Sequence, residues 1–331
     1  MDTQEIIVIP KVSIIIPVYN LESLISKCIE SCVNQTFTDI EIIIVNDGST
    51  DGSEAVIVYY CKTDNRIKHI KKQNEGLSFA RKTGVAHAVG EFVFHLDGDD
   101  TITLNAIEIL LNKAIAERAE IVAGNVLEYR VGKVYQESLY SGFGTGTAIA
   151  FLEFILINQL HYVWGKLIKR ALYTDNEIEI VQQVKVIGED QMLLYQLCMF
   201  ADKVTTVSAI VYEYRINYES ITKRPIENEQ FTRHQENFAY ILFALLHRFN
   251  YNDLVRQQLN LRILKALYLG LHRTGYYVVN SGKSKSIMMK TLSGSIFSKH
   301  SLLSANRALI ARCFACLVYP KLAFKLRNSL N

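Results

Sequence analysis

The chain has 331 residues, 49% of them hydrophobic, and only four prolines. That composition can bury a full core in one large or two smaller domains, and it excludes an intrinsically disordered protein. Six cysteines lack the spacing of a disulfide framework, which suits a reducing compartment, and Cys313-x-x-Cys316 has no second ligand pair nearby. With neither a secretory leader nor an apolar run of about 20 residues, the expected location is the cytoplasm.

Along the first half, apolar runs alternate with helical patterns. Strands are predicted over residues 12–16, 41–45, 67–70 and 91–96, and helices over 21–33, 53–60 and 78–88. SIII and EIIIV are continuous apolar runs, as expected of strands covered on both faces. Strand, helix, strand with short links implies an α/β fold with a Rossmann-like, mostly parallel sheet. Ligands in such sheets sit beyond the carboxyl ends of the strands, so loops 17–22, 46–53 and 97–101 should converge. A helix over 104–116 and a short strand over 121–123 follow. The glycine-rich stretch 141–146 reads as a loop rather than a phosphate cradle, with no strand before it and no P-loop lysine after it.

The third of those loops is acidic. In EFVFHLDGDD an apolar strand stops and Asp97, Asp99 and Asp100 follow. A hard cation such as Mn²⁺ or Mg²⁺ takes oxygen ligands and commonly shares them between one or two carboxylates and a substrate's phosphates. In the second loop, NDGSTDGS, Asp47 directly follows its strand and can accept a hydrogen bond from a nucleobase N–H, while Asp51, Gly52 and Ser53 read as a turn and helix cap. Glu189 and Asp190 form a second acidic pair at a loop-to-helix start. A carboxylate there either complements the helix N-terminus or takes a proton from an attacking hydroxyl.

The last part of the chain is different. After Asp253 there are 13 lysines and arginines and not one acid, which leaves 23 basic against 33 acidic side chains in the remainder, a balance of −10. Leu302, Leu303, Leu309, Ile310, Phe314 and Leu317 share one arc of a helical wheel opposite Ser301, Ser304 and Arg312. Such a basic amphipathic helix suits an anionic membrane surface, at about 1 kcal/mol per well-placed cation. No RNA- or DNA-binding pattern accompanies the charge, so nucleic acid is not an expected partner.

Taken together, VSIIIPVYNLESLISKCIESCVNQTFTDIEIIIVNDGSTDGS, QNEGLSFARKTGVAHAVGEFVFHLDGDD, VWGKLIKRALY, GEDQMLLYQL and YEYRINYESIT resemble the inverting family 2 glycosyltransferases of the GT-A fold. The resemblance covers roughly residues 11–223. It implies a GT-A catalytic domain over 1–225 and a basic, mainly helical region over 226–331. It implies a nucleotide-sugar donor, UDP-linked, held by Pro17, Tyr19, Glu22, Asp47, Asn74, Gly76, Arg81 and Asp97. Asp99, with Asp97, would bind Mn²⁺ or Mg²⁺, Asp190 would be the catalytic base, and Trp164 and Glu189 would meet the acceptor, a glycan or lipid-linked glycan. Lys82 stands where the family often has Asn, and Asn46 where it often has Asp. A nucleotidyltransferase would want a glycine- and arginine-rich loop after the first strand, and PVYNLES offers none. A noncatalytic scaffold at a membrane would not need Asp97, Asp99 and Asp190 together. Co-sedimentation with anionic vesicles tests the surface role: the full chain is expected to pellet and a version ending near Glu227 to remain in the supernatant.

Overall fold

The computed structural model describes residues 9–130, 133–178, 180 and 189–215, together with scattered helical positions between 235 and 287. The basic arc at 302–317 lies outside the described residues. The chain divides into two compact units. One comprises Met1–Phe151, Leu160–Val184 and Leu193–Ser220, and the other Leu152–Gln159, Lys185–Met192 and Ile221–Asn331.

The first unit holds a mixed sheet. In chain order its elements begin with β1 (Val12–Val18), α1 (Ile25–Val33), β2 (Ile40–Asp47), α2 (Ser53–Thr63), β3 (Ile67–Lys72), α3 (Leu77–His87) and β4 (Phe92–His95). There follow β5 (Thr101–Ile102), α4 (Ala106–Glu117), β6 (Ile121–Arg130), β7 (Lys133–Glu137) and β8 (Thr145–Thr147). Then come α5 (Ala148–Asn158), β9 (Lys166–Lys169), α6 (Ala171–Thr174), α7 (Glu189–Phe200) and β10 (Lys203–Arg215), of which α5 and α7 run across both units. The strand order is β3-β2-β1-β4-β9-β6-β10-β5, with β7 added on β6 and β8 on β10.

Strands β1 and β2 are buried at every position, because helices cover both faces of the sheet. Each isoleucine so buried favours folding by about 2 kcal/mol over an exposed one. α1 turns Ile25, Cys28, Ile29 and Cys32 inward at helical spacing, and α4 does the same with Ile107, Leu110, Leu111 and Ala114. β1 pairs in parallel with both β2 and β4, so the chain leaves β1 toward one side and returns on the other. The carboxyl ends of these strands therefore border a crevice at the switch point.

The parallel expectation holds for β3-β2-β1-β4. Beyond β4 the sheet is mixed: β9 runs antiparallel to β4 and β6, whereas β10 runs parallel to β6 and antiparallel to β5 and β8. Two sequence expectations are corrected. α1 starts at Ile25 rather than residue 21, because the Leu21 amide donates to Ser53 Oγ at 2.8 Å and residues 21–24 form a turn. The glycine-rich stretch is preceded by β7 and itself contributes β8. Among the described residues, no helix is long and apolar enough to cross a membrane.

At the opposite edge of the sheet, Glu41 is 3% exposed and acts as a buried clasp. It accepts from Ser13 Oγ at 2.5 Å, Lys68 Nζ at 2.6 Å and the Val89 amide at 2.8 Å, tying three strands to the turn before β4. Burial alone would raise its pKa, but the hydrogen bonds from Lys68, Ser13 and Val89 outweigh it and hold the carboxyl below the usual glutamate range. Glu41→Gln is expected to destabilise by about 2–3 kcal/mol in urea denaturation. A depressed native pKa stabilises the fold above the unfolded value, so the difference between wild type and variant should shrink as pH falls below about 4.5.

Candidate active site

The loops after β1 and β2 are stitched together. Asn20, held at φ 55°, accepts the Thr50 amide on Oδ1 at 2.8 Å, and its own amide donates to Ser49 Oγ at 3.1 Å. The Glu22 amide donates to Asp51 at 3.0 Å, and the Glu22 carboxylate accepts the Gly52 amide at 2.9 Å, just before α2. Pro17 lies buried in β1 opposite Val45, while Tyr19 is partly exposed at the loop's start. Of the candidate donor-binding residues in this loop, Glu22 thus has a structural task in holding the α2 N-terminus.

Asp47 ends β2 and is 3% exposed. Its Oδ1 accepts the Glu75 amide at 3.1 Å, its Oδ2 accepts the Gly76 amide at 2.8 Å, and Lys72 Nζ stands 3.6 Å away. These bonds hold the 74–76 segment, and Gly76, at φ 93°, is the residue from which α3 starts. Gly48 completes the fit: its φ is 75°, and a Cβ there would lie 2.8 Å from the Asn74 backbone nitrogen. Neighbouring Asn46 is fully buried, its Oδ1 accepting the Ser49 amide at 2.9 Å and its Nδ2 meeting no acceptor.

The three aspartates of the acidic loop occupy different environments. Asp97, one-quarter exposed, binds Arg81 through Oδ1 at 2.8 Å, and Arg81 is itself 3% exposed in α3. Asp99 is partly exposed. Asp100 is 1% exposed, with Oδ2 accepting from Tyr212 Oη at 2.8 Å and Oδ1 from the Arg215 amide at 2.8 Å. Burial first, then the adjacent Asp99 and Asp97, push the Asp100 carboxyl up to about 8. His95, two residues before Asp97, is fully buried, and desolvation followed by Arg81 holds it far below the usual histidine range, so the ring is neutral and its Nε2 meets Tyr173 Oη at 2.9 Å.

This donor set suits a hard cation that brings other ligands with it. Both Asp100 oxygens are engaged by the protein, whereas Asp97 and Asp99 are the partly exposed carboxylates of the loop and carry the hard oxygens a cation would want. Among the described residues no group of three or more His, Cys, Asp or Glu is arranged as a metal cage. Two carboxylates complemented by a diphosphate are the usual Mg²⁺ arrangement.

The model of glycosyl transferase family 2 matches residues 13–184, more than half of the chain, and so contains β1, Asp47 and the acidic loop. The chain belongs to glycosyltransferase family 2. It is 32% identical to glycosyltransferase GlyA of Streptococcus pneumoniae over 223 residues, 64% of this chain but only 32% of GlyA. An uncharacterized glycosyltransferase of Bacillus subtilis, EpsJ, is 28% identical across 98% of both chains. The fold is that of Staphylococcus aureus TarS residues 1–349, solved in complex with UDP-GlcNAc, at a TM-score of 0.69 and 18% identity over 96% of this chain and 92% of TarS 1–349.

Within this family 2 fold, the remaining candidates are distributed as follows. Glu189 and Asp190 open α7 and are partly exposed, where the helix N-terminus favours negative charge. Trp164 is 8% exposed, stacked on Tyr162 at 4.3 Å and Tyr212 at 4.5 Å, with Tyr214 parallel at 5.9 Å. Sequence reasoning missed Tyr212, whose partner loop lies more than 100 residues away, and Lys72, which comes level with Asp47 only when β2 and β3 pair. The YEYR motif was the available signal for Tyr212.

Crowding at Gly48 can be separated from its backbone conformation. Gly142 also has positive φ, 96°, but nothing lies within 4 Å of its would-be Cβ. Gly142→Ala should cost only the left-handed backbone strain of about 1–2 kcal/mol. Gly48→Ala should cost at least about 1 kcal/mol more in the same urea titration, because the Asn74 segment must move.

Proposed function

We propose that the chain transfers a sugar from a UDP-linked donor to a hydroxyl of a glycan or lipid-linked glycan, with inversion at the anomeric carbon. The observation that carries this reading is the pair Asp97 and Asp99 presented beyond β4, with Asp47 at the carboxyl end of β2, at the switch point of the parallel half-sheet. The likeness of the fold to TarS, which binds UDP-GlcNAc, is consistent with a UDP-linked donor.

In this proposal Pro17 and Tyr19 flank the base. Asp47 accepts a base N–H, since a carboxylate with two amide bonds retains lone pairs for a further donor. Asn74 and Gly76 border the nucleoside on the segment that Asp47 holds, and Glu22 keeps the neighbouring loop in place. Arg81 orients Asp97 so that one carboxylate oxygen faces the ribose and the cation site, with Asp99 as the principal ligand. A bound Mn²⁺ or Mg²⁺ would offset charge developing on the departing diphosphate.

Asp190 takes the proton of the acceptor hydroxyl as its oxygen bonds to the anomeric carbon and the bond to the diphosphate breaks on the opposite side. Glu189 orients that hydroxyl. A single displacement needs no nucleophilic carboxylate and inverts the configuration, unlike the double displacement of retaining hydrolases. The acid-free stretch after Asp253 supports peripheral docking on the cytoplasmic membrane face, which would suit a lipid-linked acceptor.

The measurement is UDP release from a panel of UDP-sugars with and without acceptor and chelator, paired with calorimetric UDP binding. Asp190→Asn is expected to bind UDP as wild type does and to lose turnover by about 10²–10⁴-fold. Turnover at the wild-type rate removes Asp190 as the base.

A further inference from the structure

We propose that Tyr212 is a positioning residue for the metal-binding carboxylates, its hydroxyl setting the conformation of the acidic loop on which Asp97 and Asp99 stand. This rests on the reading of that loop as the cation site. The hydroxyl is fully buried and has two partners: it accepts the Asp97 amide at 3.2 Å and donates to Asp100 Oδ2 at 2.8 Å. One oxygen therefore ties the first residue of the Asp97–Asp100 turn to the last. The turn is closed across its own backbone by the Asp100 amide on the Asp97 carbonyl at 3.0 Å. Arg215 adds its amide to Asp100 Oδ1 at 2.8 Å, so two residues of β10, three positions apart, grip the same carboxyl.

The fold delivers that hydroxyl in a particular way. β5, only two residues long, leaves the acidic loop and pairs with β10 at Tyr212 and Glu213. The β6–β10 register slips between Ile210 and Tyr212, where two steps on β10 oppose one on β6. A bulge of this kind re-aims the next side chain. The ring is then fixed by Trp164, stacked at 4.5 Å and 20°, and by Phe94 at 6.5 Å. Trp164 is in turn covered by Tyr162. A side chain built merely to fill the core would not need a hydroxyl, since burying one without partners costs free energy. Here both its donor and its acceptor capacity are spent on the turn between β4 and β5. Asp97 and Asp99 each emerge from that turn, so a shift of its backbone moves both oxygens that would hold the cation.

The test titrates Mn²⁺ into the full chain with saturating UDP and reads free Mn²⁺ by electron paramagnetic resonance. Tyr212→Phe keeps the stacked ring and deletes the hydroxyl. Its Mn²⁺ midpoint is expected to rise about tenfold, the size of one buried hydrogen bond. Its melting temperature stays within a few degrees of wild type, and excess Mn²⁺ restores UDP release. Tyr195→Phe, which deletes another fully buried hydroxyl, one that meets His161 at 3.0 Å, keeps the wild-type midpoint. A Tyr212→Phe midpoint within twofold of wild type, or an equal shift in Tyr195→Phe, overturns the positioning role while leaving the cation site standing. A wild-type chain that binds no Mn²⁺ with UDP overturns the cation site and this proposal with it.

Discussion

Strand β1 is hydrogen-bonded in parallel on both sides, and the architecture of the site depends on that constraint. Parallel neighbours bring their carboxyl ends to the same edge, and the chain crosses from one side of β1 to the other there, which is where such sheets place their ligands. Val18 stands level with Asn46, so the loop after β1 and the loop carrying Asp47 begin side by side. Leu96 donates its amide to the Ile15 carbonyl, which brings the acidic loop to the same edge. The apolar character of β1 and β2 is the condition for this, because strands with helices on both faces tolerate few polar side chains.

The second constraint is the cost of buried charge. Asp47, Asp100 and Glu41 are each at most 3% exposed, and each is met by backbone amides as well as side chains. The donors hold Glu41 below the usual glutamate range, whereas burial and the neighbouring Asp99 and Asp97 outweigh them at Asp100 and push its carboxyl up to about 8. The donors come from segments that then become rigid. Asp47 holds the start of α3, Asp100 ties the acidic loop to β10, and Glu41 binds the turn before β4. The same carboxylates that look functional in the sequence therefore also organise backbone, and in Asp100 both oxygens are committed to that task.

The two ends of the acidic loop belong to different parts of the sheet. β4 sits between β1 and β9, whereas β5, among the described residues, pairs with β10 alone. The mixed second half of the sheet is thus joined to the parallel half both by β9 and by the loop that presents Asp97 and Asp99. The aromatic stack of Tyr162, Trp164 and Tyr212 lies behind that junction and gives it stiffness that a run of aliphatic residues would supply less specifically.

Much of this was legible in residue order alone. The runs SIII and EIIIV, the alternation of strand and helix, and the position of Asp47 and Asp97 directly after apolar strands are local signals with periods of 2 or 3.6 residues, and they determined the parallel half of the fold. The family resemblance likewise rests on short motifs. Tertiary structure alone decided how Asp100 is held by the protein, because its partner Tyr212 lies 112 residues away. It also decided that Trp164 stacks among tyrosines, that α1 begins at Ile25, and that β10 bulges before Tyr212. No local pattern encodes such pairings, since they arise only when strands far apart in the chain are brought into register.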